Sequence, residues 1–547
     1  MNDDILRIGH VIEVDGFKTV GKLEASISDL YRTHRSRKYA VGQVGSIVKI
    51  ESGDLLIFGV LTSLRMAEVE GRKDIFSGRT ELTNAKWIEI ELFGQGLRTG
   101  IAEAEFSFER GISTYPLPGQ PIYLATVEEL RRVYEKPDKA TVKVGSVSRA
   151  RGLPVHLILD ELIGKHFAIL GTTGSGKSCS VALILNAIIE QYPHAHIILL
   201  DPHNEYSNAF ADRAEFIDIT SLEIPHWLLN LEESIGLFVG KTEFAATSQT
   251  NILKDAILKA RQEFPGGPLP TEKITVDTPV PYTLGRLIEN IKTAKPSQES
   301  KAESYYKILN KINILVDDKR FSFLLAPDEG TKDNLSELIT RFLRIPDACK
   351  PVSIVDLSGV PSDVVDVVVS VLCRTVFDFA LWNKRRRDTP LLLVCEEAHR
   401  YAPRGEEAAF QPTKKALARI AKEGRKYGVG LALVTQRPSE LSESILSQCN
   451  TIIALRMSNE QDQHFVQRAL PESVRSLVDA LPTLRTREAL VVGEGTSVPV
   501  RMLFNRIPES RRPRSADVPF AQAWSKEISD NSIVTETVRR WREQKRD

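Results

Sequence analysis

The residues of this 547-residue chain that could do chemistry begin with a glycine-rich loop. A short apolar segment, residues 166–170, leads into the loop, and a helical pattern over residues 178–191 follows it. The loop matches G-x-x-x-x-G-K-[ST], a pattern in which backbone N–H groups surround phosphate oxygens. Its lysine neutralises the β- and γ-phosphates, and its last hydroxyl ligates Mg²⁺. We therefore expect ATP and Mg²⁺ as cofactors, rather than a glycine-rich turn that binds nothing.

The residues expected at the nucleotide form one continuous run, which extends one position beyond the pattern. Within this run, Lys177 is expected at the phosphates and Ser178 at the metal. The full set is Gly171, Thr172, Thr173, Gly174, Ser175, Gly176, Lys177, Ser178 and Cys179.

A second segment places two carboxylates at the end of an apolar strand. Residues 391–395 predict a buried strand, and Glu396 and Glu397 follow it directly. One acid at a strand end can hold the metal, and the next can polarise the attacking water as general base. We assign Glu396 to the metal and Glu397 to the base. P-loop proteins in general have Asp at the first position, so the order of the two roles stays open. Without the glycine-rich loop, the pair would be interpreted as a solvated strand end.

A third segment delivers an amide to the same edge of the predicted sheet. The apolar strand 431–435 ends at Gln436, whose side chain could contact the γ-phosphate or the attacking water. Pro438 also allows a plain strand-end turn. Similarly, Asp201 ends the strand 196–200 and could either support the metal or form a turn.

An arginine near a helix end could complete the site of a neighbouring subunit. Arg425 lies between two glycines at the end of a predicted helix. ATPases that assemble in rings often supply such an arginine to the neighbour's γ-phosphate. Arg425 is the first candidate for this finger, and Arg419 and Arg437 are the alternates. Each could equally be a surface cation, which the C-terminal end of a helix favours.

Composition limits the class of protein. The chain is 42% hydrophobic and 26% charged, as in ordinary globular proteins, and its 72 basic residues balance 72 acidic ones. A chain with no net charge has no overall positive electrostatic potential that would attract nucleic acid, so DNA binding would need local basic surfaces. The five cysteines form no C-x-x-C pair, and the start of the chain lacks an apolar signal. The most apolar stretch, residues 365–382, carries three charged residues and predicts a buried helix. We expect a cytoplasmic protein with no membrane partner.

Patterning along the chain predicts an α/β fold with several parts. Short β-branched runs between turn signals predict a β-barrel over residues 1–145. Apolar strands that alternate with helices predict a P-loop RecA-like core over 146–230 and 346–510. A helix-rich stretch, 231–345, is expected to be an insertion, and residues 511–547 to be a helical tail.

Together these motifs resemble the bacterial and archaeal HerA family of the HerA–FtsK superfamily. The resemblance is carried by the glycine-rich loop, by Asp-Pro-His-Asn-Glu-Tyr at 201–206, and by Cys-Glu-Glu-Ala-His-Arg-Tyr-Ala-Pro at 395–403. Gly-Arg-Lys-Tyr-Gly at 424–428 and Thr-Gln-Arg-Pro at 435–438 extend it. The β-rich start resembles the HAS barrel of this family. One departure is the run 485–488, Arg-Thr-Arg-Glu, where a glycine often precedes the late strand.

The resemblance implies a homohexameric ring that moves double-stranded DNA through its centre, with ATP and Mg²⁺. It also implies an effector partner, either a nuclease or, in bacterial defence against phage, a sirtuin-like NAD-consuming protein. Two alternatives stay open at this point. One is a conjugation- or secretion-type pump, and the other is a scaffold that binds ATP chiefly to assemble the effector.

Overall fold

The structure is a computed structural model, and it falls into two compact units. The first comprises Met1–Gln191, Glu397–Gly405 and Ile420–Arg506, and the second comprises Tyr192–Glu396, Glu406–Arg419 and Ile507–Asp547. The residues that the structure describes are 3–16, 18–25, 27, 31–73, 80–100, 105–148, 150, 152–218, 221–222, 224–240, 246–325, 331–360, 362–405, 410–514, 520–527 and 530–543.

The first unit begins with a closed antiparallel barrel. Its strands, with the small hairpin β3–β4 beside them, are β1 (Arg7–Asp15), β2 (Lys18–Leu23), β3 (Tyr31–His34), β4 (Arg37–Ala40), β5 (Ile47–Ser52), β6 (Leu55–Lys73), β7 (Thr80–Arg98), β8 (Phe106–Arg110) and β9 (Pro121–Leu124). The sheet order is β2-β1-β9-β5-β6-β7-β8. An additional pairing of β2 with β7 closes the first six strands into the barrel.

Alternating apolar residues account for the barrel. Every second residue of β2 is buried, so one face of the strand lines the interior. Ile8, Ile50, Ile88 and Ile122 are fully buried in the resulting core. Register shifts in the long β6–β7 pairing form bulges, which increase local twist and allow long strands to curve around a barrel.

After the barrel, strands alternate with helices. The strands are β10 (Thr141–Val147), β11 (Pro154–Ile158), β12 (Phe167–Leu170), β13 (His196–Asp201), β14 (Ala214–Ile217), β15 (Val352–Asp356), β16 (Leu391–Cys395), β17 (Val429–Thr435), β18 (Thr451–Leu455), β19 (Glu488–Gly493) and β20 (Val500–Phe504). The helices of the chain are α1 (Val127–Val133), α2 (Leu159–Gly164), α3 (Lys177–Gln191), α4 (Leu231–Phe238), α5 (Ala246–Gln262), α6 (Leu284–Ala294), α7 (Glu299–Asp317), α8 (Leu335–Leu343), α9 (Ser362–Trp382), α10 (Gln411–Tyr427), α11 (Glu443–Leu446), α12 (Glu460–Ala469), α13 (Phe520–Trp524) and α14 (Ser532–Glu543).

Strands of the first unit run in the order β11-β10-β20-β19-β18-β12-β17. Strand β12 pairs in parallel with both β17 and β18, whereas the pairs from β18 to β11 are antiparallel. All four residues of β12 are buried, which explains its uninterrupted apolar sequence. Because β12, β17 and β18 are parallel, the loops after their carboxyl ends lie at one edge of the sheet.

In the second unit the strand order is β16-β13-β15-β14, and the pairs are all parallel. Residues 197–200 of β13 and all of β16 are buried and apolar, as expected for a sheet that is covered on both faces. Helices α4–α8 occupy the chain between β14 and β15, and α9 connects β15 to β16.

The α/β fold with an N-terminal barrel and a P-loop RecA-like core is confirmed. The strands predicted near 166–170, 196–200, 391–395 and 451–455 are present within one residue at each end, and the apolar stretch 365–382 lies within α9. The segment 231–345, predicted to be helix-rich, contains α4–α8. The division of the chain into barrel, core, insertion and tail domains stays a prediction.

Candidate nucleotide site

The glycine-rich loop connects β12 to α3, as its sequence predicts. Gly174 and Gly176 have φ angles of +75° and +100°, which residues with side chains rarely adopt. Lys177 is the first residue of α3 and is buried. The first N–H groups of a helix have no partners within it, and the helix dipole favours negative charge there. The loop and the start of α3 therefore form a site for an anion.

The loop is bonded to the ends of both strands that flank β12. The backbone N–H and the hydroxyl of Thr172 both donate to the carbonyl oxygen of Arg456, each at 3.0 Å, just after β18. The hydroxyl of Thr173 donates to the side-chain oxygen of Gln436, just after β17. The sequence-predicted amide therefore contacts the loop itself.

Glu397 belongs to the same compact unit as the loop and is buried. Nδ1 of His399 lies 3.2 Å from a carboxylate oxygen of Glu397 and 2.9 Å from the hydroxyl of Thr435. Burial lowers the pKa of His399, and the negative charge of Glu397 acts in the opposite direction. The ring thus connects the acid to the carboxyl end of β17. Sequence reasoning missed this contact, although His399 lies two residues from Glu397.

Glu396 directly follows β16 in the second unit and is also buried. The phenol of Tyr206 donates to a carboxylate oxygen of Glu396 at 3.1 Å. Burial, together with the charge of Glu396, raises the pKa of Tyr206 well above its usual value, so the phenol stays a donor. The two acids of the predicted pair are neighbours in the chain, and the boundary between the units falls between them.

Asp201 is placed by the structure in a turn. Its carboxylate accepts hydrogen bonds from the backbone N–H groups of His203 and Tyr206, at 3.2 and 3.0 Å. Asp201 is fully buried, and burial raises its pKa despite these bonds. Of the two roles considered for this residue, the contacts fit the turn.

The three finger candidates differ in how the chain holds them. Arg419 lies 3.8 Å from Asp378, and Arg437 forms an ion pair with Glu440 at 2.8 Å. Arg425 is exposed near the end of α10, and no carboxylate in the described part of the chain forms an ion pair with it. This difference favours Arg425 as the cation that is available to another subunit.

Sequence reasoning also missed Arg487, in the run 485–488 that departs from the HerA pattern. Its backbone N–H donates to the carbonyl oxygen of Ser175 at 3.2 Å, and its φ angle is +68°. The left-handed conformation explains why a glycine suits this position. The next residue, Glu488, is buried, which alone would raise its pKa, but hydrogen bonds from Arg501 and other donors lower the pKa to about 2. Glu488 thus stays charged and anchors the segment that contacts the loop.

The remaining predicted residues lie where the pattern places them. Ser178 and Cys179 follow Lys177 in the first turn of α3, and both are half-buried. In the described residues, Lys177 forms no ion pair and the hydroxyl of Ser175 is buried without a hydrogen-bond partner. Burying an ammonium group costs free energy unless an anion compensates it. These residues therefore fit a nucleotide phosphate.

Comparison with protein families and curated proteins agrees with this site. Residues 142–376 match the family model described as "Helicase HerA, central domain". The DNA double-strand break repair helicase HerA of Pyrococcus furiosus is 28% identical over 449 residues, which cover 75% of this chain and 78% of the relative. The corresponding helicase of Sulfolobus acidocaldarius is 27% identical over 441 residues, which cover 78% of this chain and 80% of the relative.

Two of the solved structures that match the chain come from bacterial systems. VirB4 of Thermoanaerobacter pseudethanolicus matches with a TM-score of 0.49 and 19% identity, over 69% of this chain and 99% of that one. The plasmid coupling protein TrwB in complex with ADP and Mg²⁺ matches with a TM-score of 0.45 and 14% identity, over 70% of this chain and 92% of that one.

The fold and the phosphate-binding loop define a P-loop ATPase of the helicase class. Residues 142–376 thus match the central domain of HerA helicases, and the chain is similar to such helicases over three quarters of its length. Among the described residues, no helix is both long and apolar enough to span a bilayer.

Proposed function

We propose that this chain is a motor that hydrolyses ATP to move double-stranded DNA. The observation that carries the proposal is the arrangement in the first unit. There, a buried lysine begins the helix after the loop, Gln436 is bonded to the loop, and Nδ1 of His399 lies 3.2 Å from a carboxylate oxygen of Glu397. This arrangement combines a phosphate site, a phosphate-responsive amide and a general base.

Each residue has a distinct proposed role. Lys177 binds the β- and γ-phosphates, and Ser178 and Glu396 hold Mg²⁺, Glu396 through water. Bound Mg²⁺ supplies charge neutralisation at the phosphates. Glu397 accepts the proton of the attacking water, and His399 fixes the orientation of the carboxylate. Gln436 contacts the γ-phosphate or the attacking water. The hydrogen bond between Gln436 and Thr173 then signals to the loop that the phosphate or the water is present.

DNA as substrate and a ring as the assembly are supported by the named relatives and by Arg425. The relatives of Pyrococcus and Sulfolobus are named as DNA double-strand break repair helicases. An exposed arginine without an ion pair among the described residues suits a finger that acts on a neighbour's nucleotide. We propose a homohexamer on this basis, with the barrel as the assembly or guiding domain. The cytoplasm is the proposed compartment.

We also propose that the ring works with an effector protein, a nuclease or a sirtuin-like enzyme, and that this pair serves in defence against phage. The resemblance of the motif set to HerA proteins supports this part of the proposal. The competing idea is a scaffold, in which ATP binding assembles the effector and hydrolysis is incidental.

The test is displacement of a third strand from a DNA triplex by wild type and by Glu397→Gln. A translocating motor strips the third strand as it moves along the duplex, and a static ring does not. Loss of the general base should lower ATP turnover by about 100-fold or more, and strand displacement should fall with it. Glu135→Gln is the matched control, because Glu135 is an exposed glutamate in an ion pair after α1.

Three results would count against the motor. Absence of displacement by wild type, with or without its effector, would overturn translocation. ATP turnover that ignores linear duplex DNA would favour a conjugation- or secretion-type pump. Effector output that survives in Glu397→Gln after hydrolysis is lost would favour the scaffold.

A further inference from the structure

A groove beside the nucleotide site carries an unassigned set of cations. It has a volume of about 920 Å³ and lies within the first unit. We call it the arginine groove. Its main lining residues are Arg404, Arg437, Gln461, His464, Phe465 and Arg468.

The floor of the groove is an aromatic ring that is flanked by two guanidinium groups. Phe465 is buried, and the guanidinium carbons of Arg404 and Arg468 lie 6.0 and 5.9 Å from the centre of its ring. Both arginines are exposed, and neither forms an ion pair within the described part of the chain. Their charges are therefore available to a ligand.

The acidic groups of the groove are already engaged. Glu440 pairs with Arg437, and the buried Asp462 accepts a hydrogen bond from the backbone N–H of Ser439 at 3.0 Å. His464 lies 3.7 Å from Glu460, an exposed pair that contributes little. Two arginines thus remain as uncompensated charges, with the amide of Gln461 as a neutral donor. This combination suits phosphate groups along a polymer, which arginine and amide side chains contact in protein–DNA interfaces.

The groove and the phosphate-binding loop share the same two strands. The loop is bonded to Gln436 and to Arg456, just after β17 and β18. Arg437 follows Gln436 directly, and the helix that carries Phe465 and Arg468 begins at Glu460, soon after β18. A shift of the loop with nucleotide state would therefore be transmitted to the groove along a few residues of backbone.

We infer that the arginine groove binds the phosphate backbone of duplex DNA, and that Arg404 and Arg468 make the contacts. The inference rests on the proposed function, since it takes DNA as the substrate of the motor. It adds the surface that grips the substrate and a short covalent route from that surface to the γ-phosphate sensor.

The test uses the full-length double variant Arg404→Gln/Arg468→Gln and a short fluorescein-labelled DNA duplex. Each lost phosphate contact should reduce the slope of log K against log salt by about 0.9, so the double variant should lose about 2. Its Kd at moderate salt should rise about tenfold or more. The control is Arg131→Gln/Arg132→Gln in α1, two exposed arginines whose loss changes the net charge equally. The thermal unfolding midpoints of both variants should match wild type, because all four side chains are exposed.

Each other outcome points to a specific failure. If wild type and the groove variant bind duplex DNA with the same Kd and salt slope, the inference about the arginine groove is wrong, and the proposed motor function is unaffected. No DNA binding by wild type overturns both. If the groove variant loses binding of polyglutamate but keeps wild-type DNA binding, the groove takes an acidic protein segment, and the DNA assignment is wrong. An equal loss in the Arg131/Arg132 control would show an effect of net charge alone, which also overturns the groove.

Discussion

Two residues at the nucleotide site hold a backbone conformation that glycine usually takes. Glu397 and Arg487 have φ angles of +51° and +68°. For a residue with a side chain this conformation costs about 1–2 kcal/mol, and it persists only where the surroundings fix it. His399 contacts Glu397, and the carbonyl of Ser175 holds the N–H of Arg487. Both residues with a left-handed backbone conformation thus contact other residues of the site directly.

Replacement of Arg487 should separate the roles of its backbone and its side chain. Arg487→Gly keeps the left-handed conformation and the N–H bond to the loop, so the free energy of unfolding should stay within about 0.5 kcal/mol of wild type. Arg487→Val, which is β-branched, should lose about 1–2 kcal/mol. Urea denaturation measures both. Equal losses in the two variants would show that the guanidinium, rather than the backbone, is what the position requires.

Among the individual site residues, those that belong to a local sequence pattern can be predicted from the sequence. The loop from Gly171 to Ser178 is recognisable because its function depends on consecutive backbone N–H groups. His399 and Arg487 act through contacts with residues 36 to 312 positions away, such as Thr435 and Ser175. No local spacing encodes such contacts, so they emerge only from the fold.

Among the elements of the second unit, α4 and α9 are joined by a buried ion pair. Arg374 on α9 contacts both carboxylate oxygens of Glu233 on α4, at distances between 3.0 and 3.2 Å. Glu233 is fully buried and also closes the capping box of α4 with Asn230. Burial lowers the pKa of Arg374, but the charges and hydrogen bonds of Glu233 and Asp378 together outweigh burial and raise it. Arg374 therefore remains charged in the interior.

Removing one partner should leave the other charge buried and uncompensated. Arg374→Ala should lower the free energy of unfolding by about 3–5 kcal/mol. Lys415→Ala is the matched control, because Lys415 pairs with Glu232 on the same helix but both side chains are exposed. That variant should lose less than about 1 kcal/mol. Denaturation by urea, with hydrogen exchange in α4 and α9, measures the difference. Similar losses in the two variants would mean that the buried pair contributes no more than a surface pair.

Elements with a strong local signal are the ones that the sequence predicts. Buried parallel strands such as β12 and β16 are continuous apolar runs, and the Asn230-x-x-Glu233 capping box marks the start of α4. The antiparallel order β11-β10-β20-β19-β18 is not predicted by the sequence, because it depends on the pairing of β10 with β20, which are more than three hundred residues apart. Pairing over such distances depends on the completed sheet rather than on any local pattern.

Over the whole molecule, net neutrality coexists with a local cationic surface. The 72 basic and 72 acidic residues cancel, yet the arginine groove presents two unpaired guanidinium groups within the described residues. Sequence composition therefore excludes an overall positive electrostatic potential. It does not locate the arginine groove, because the residues of the groove come from three separate segments of the chain. The fold class follows from the sequence, whereas the division of the chain into two compact units, one boundary of which falls between Glu396 and Glu397, does not.

The central claim is that the loop ending at Lys177 and Ser178 binds ATP for hydrolysis. The measurement that tests it most directly is ATP turnover with Mg²⁺ by purified wild type and by Lys177→Ala, each with and without duplex DNA. Wild type should hydrolyse ATP only with Mg²⁺, and loss of the ammonium contact should cost about 2–4 kcal/mol of transition-state stabilisation, or roughly 30- to 1,000-fold in rate. Turnover by Lys177→Ala at the wild-type rate would contradict the site, and so would a wild type that neither binds nor cleaves ATP.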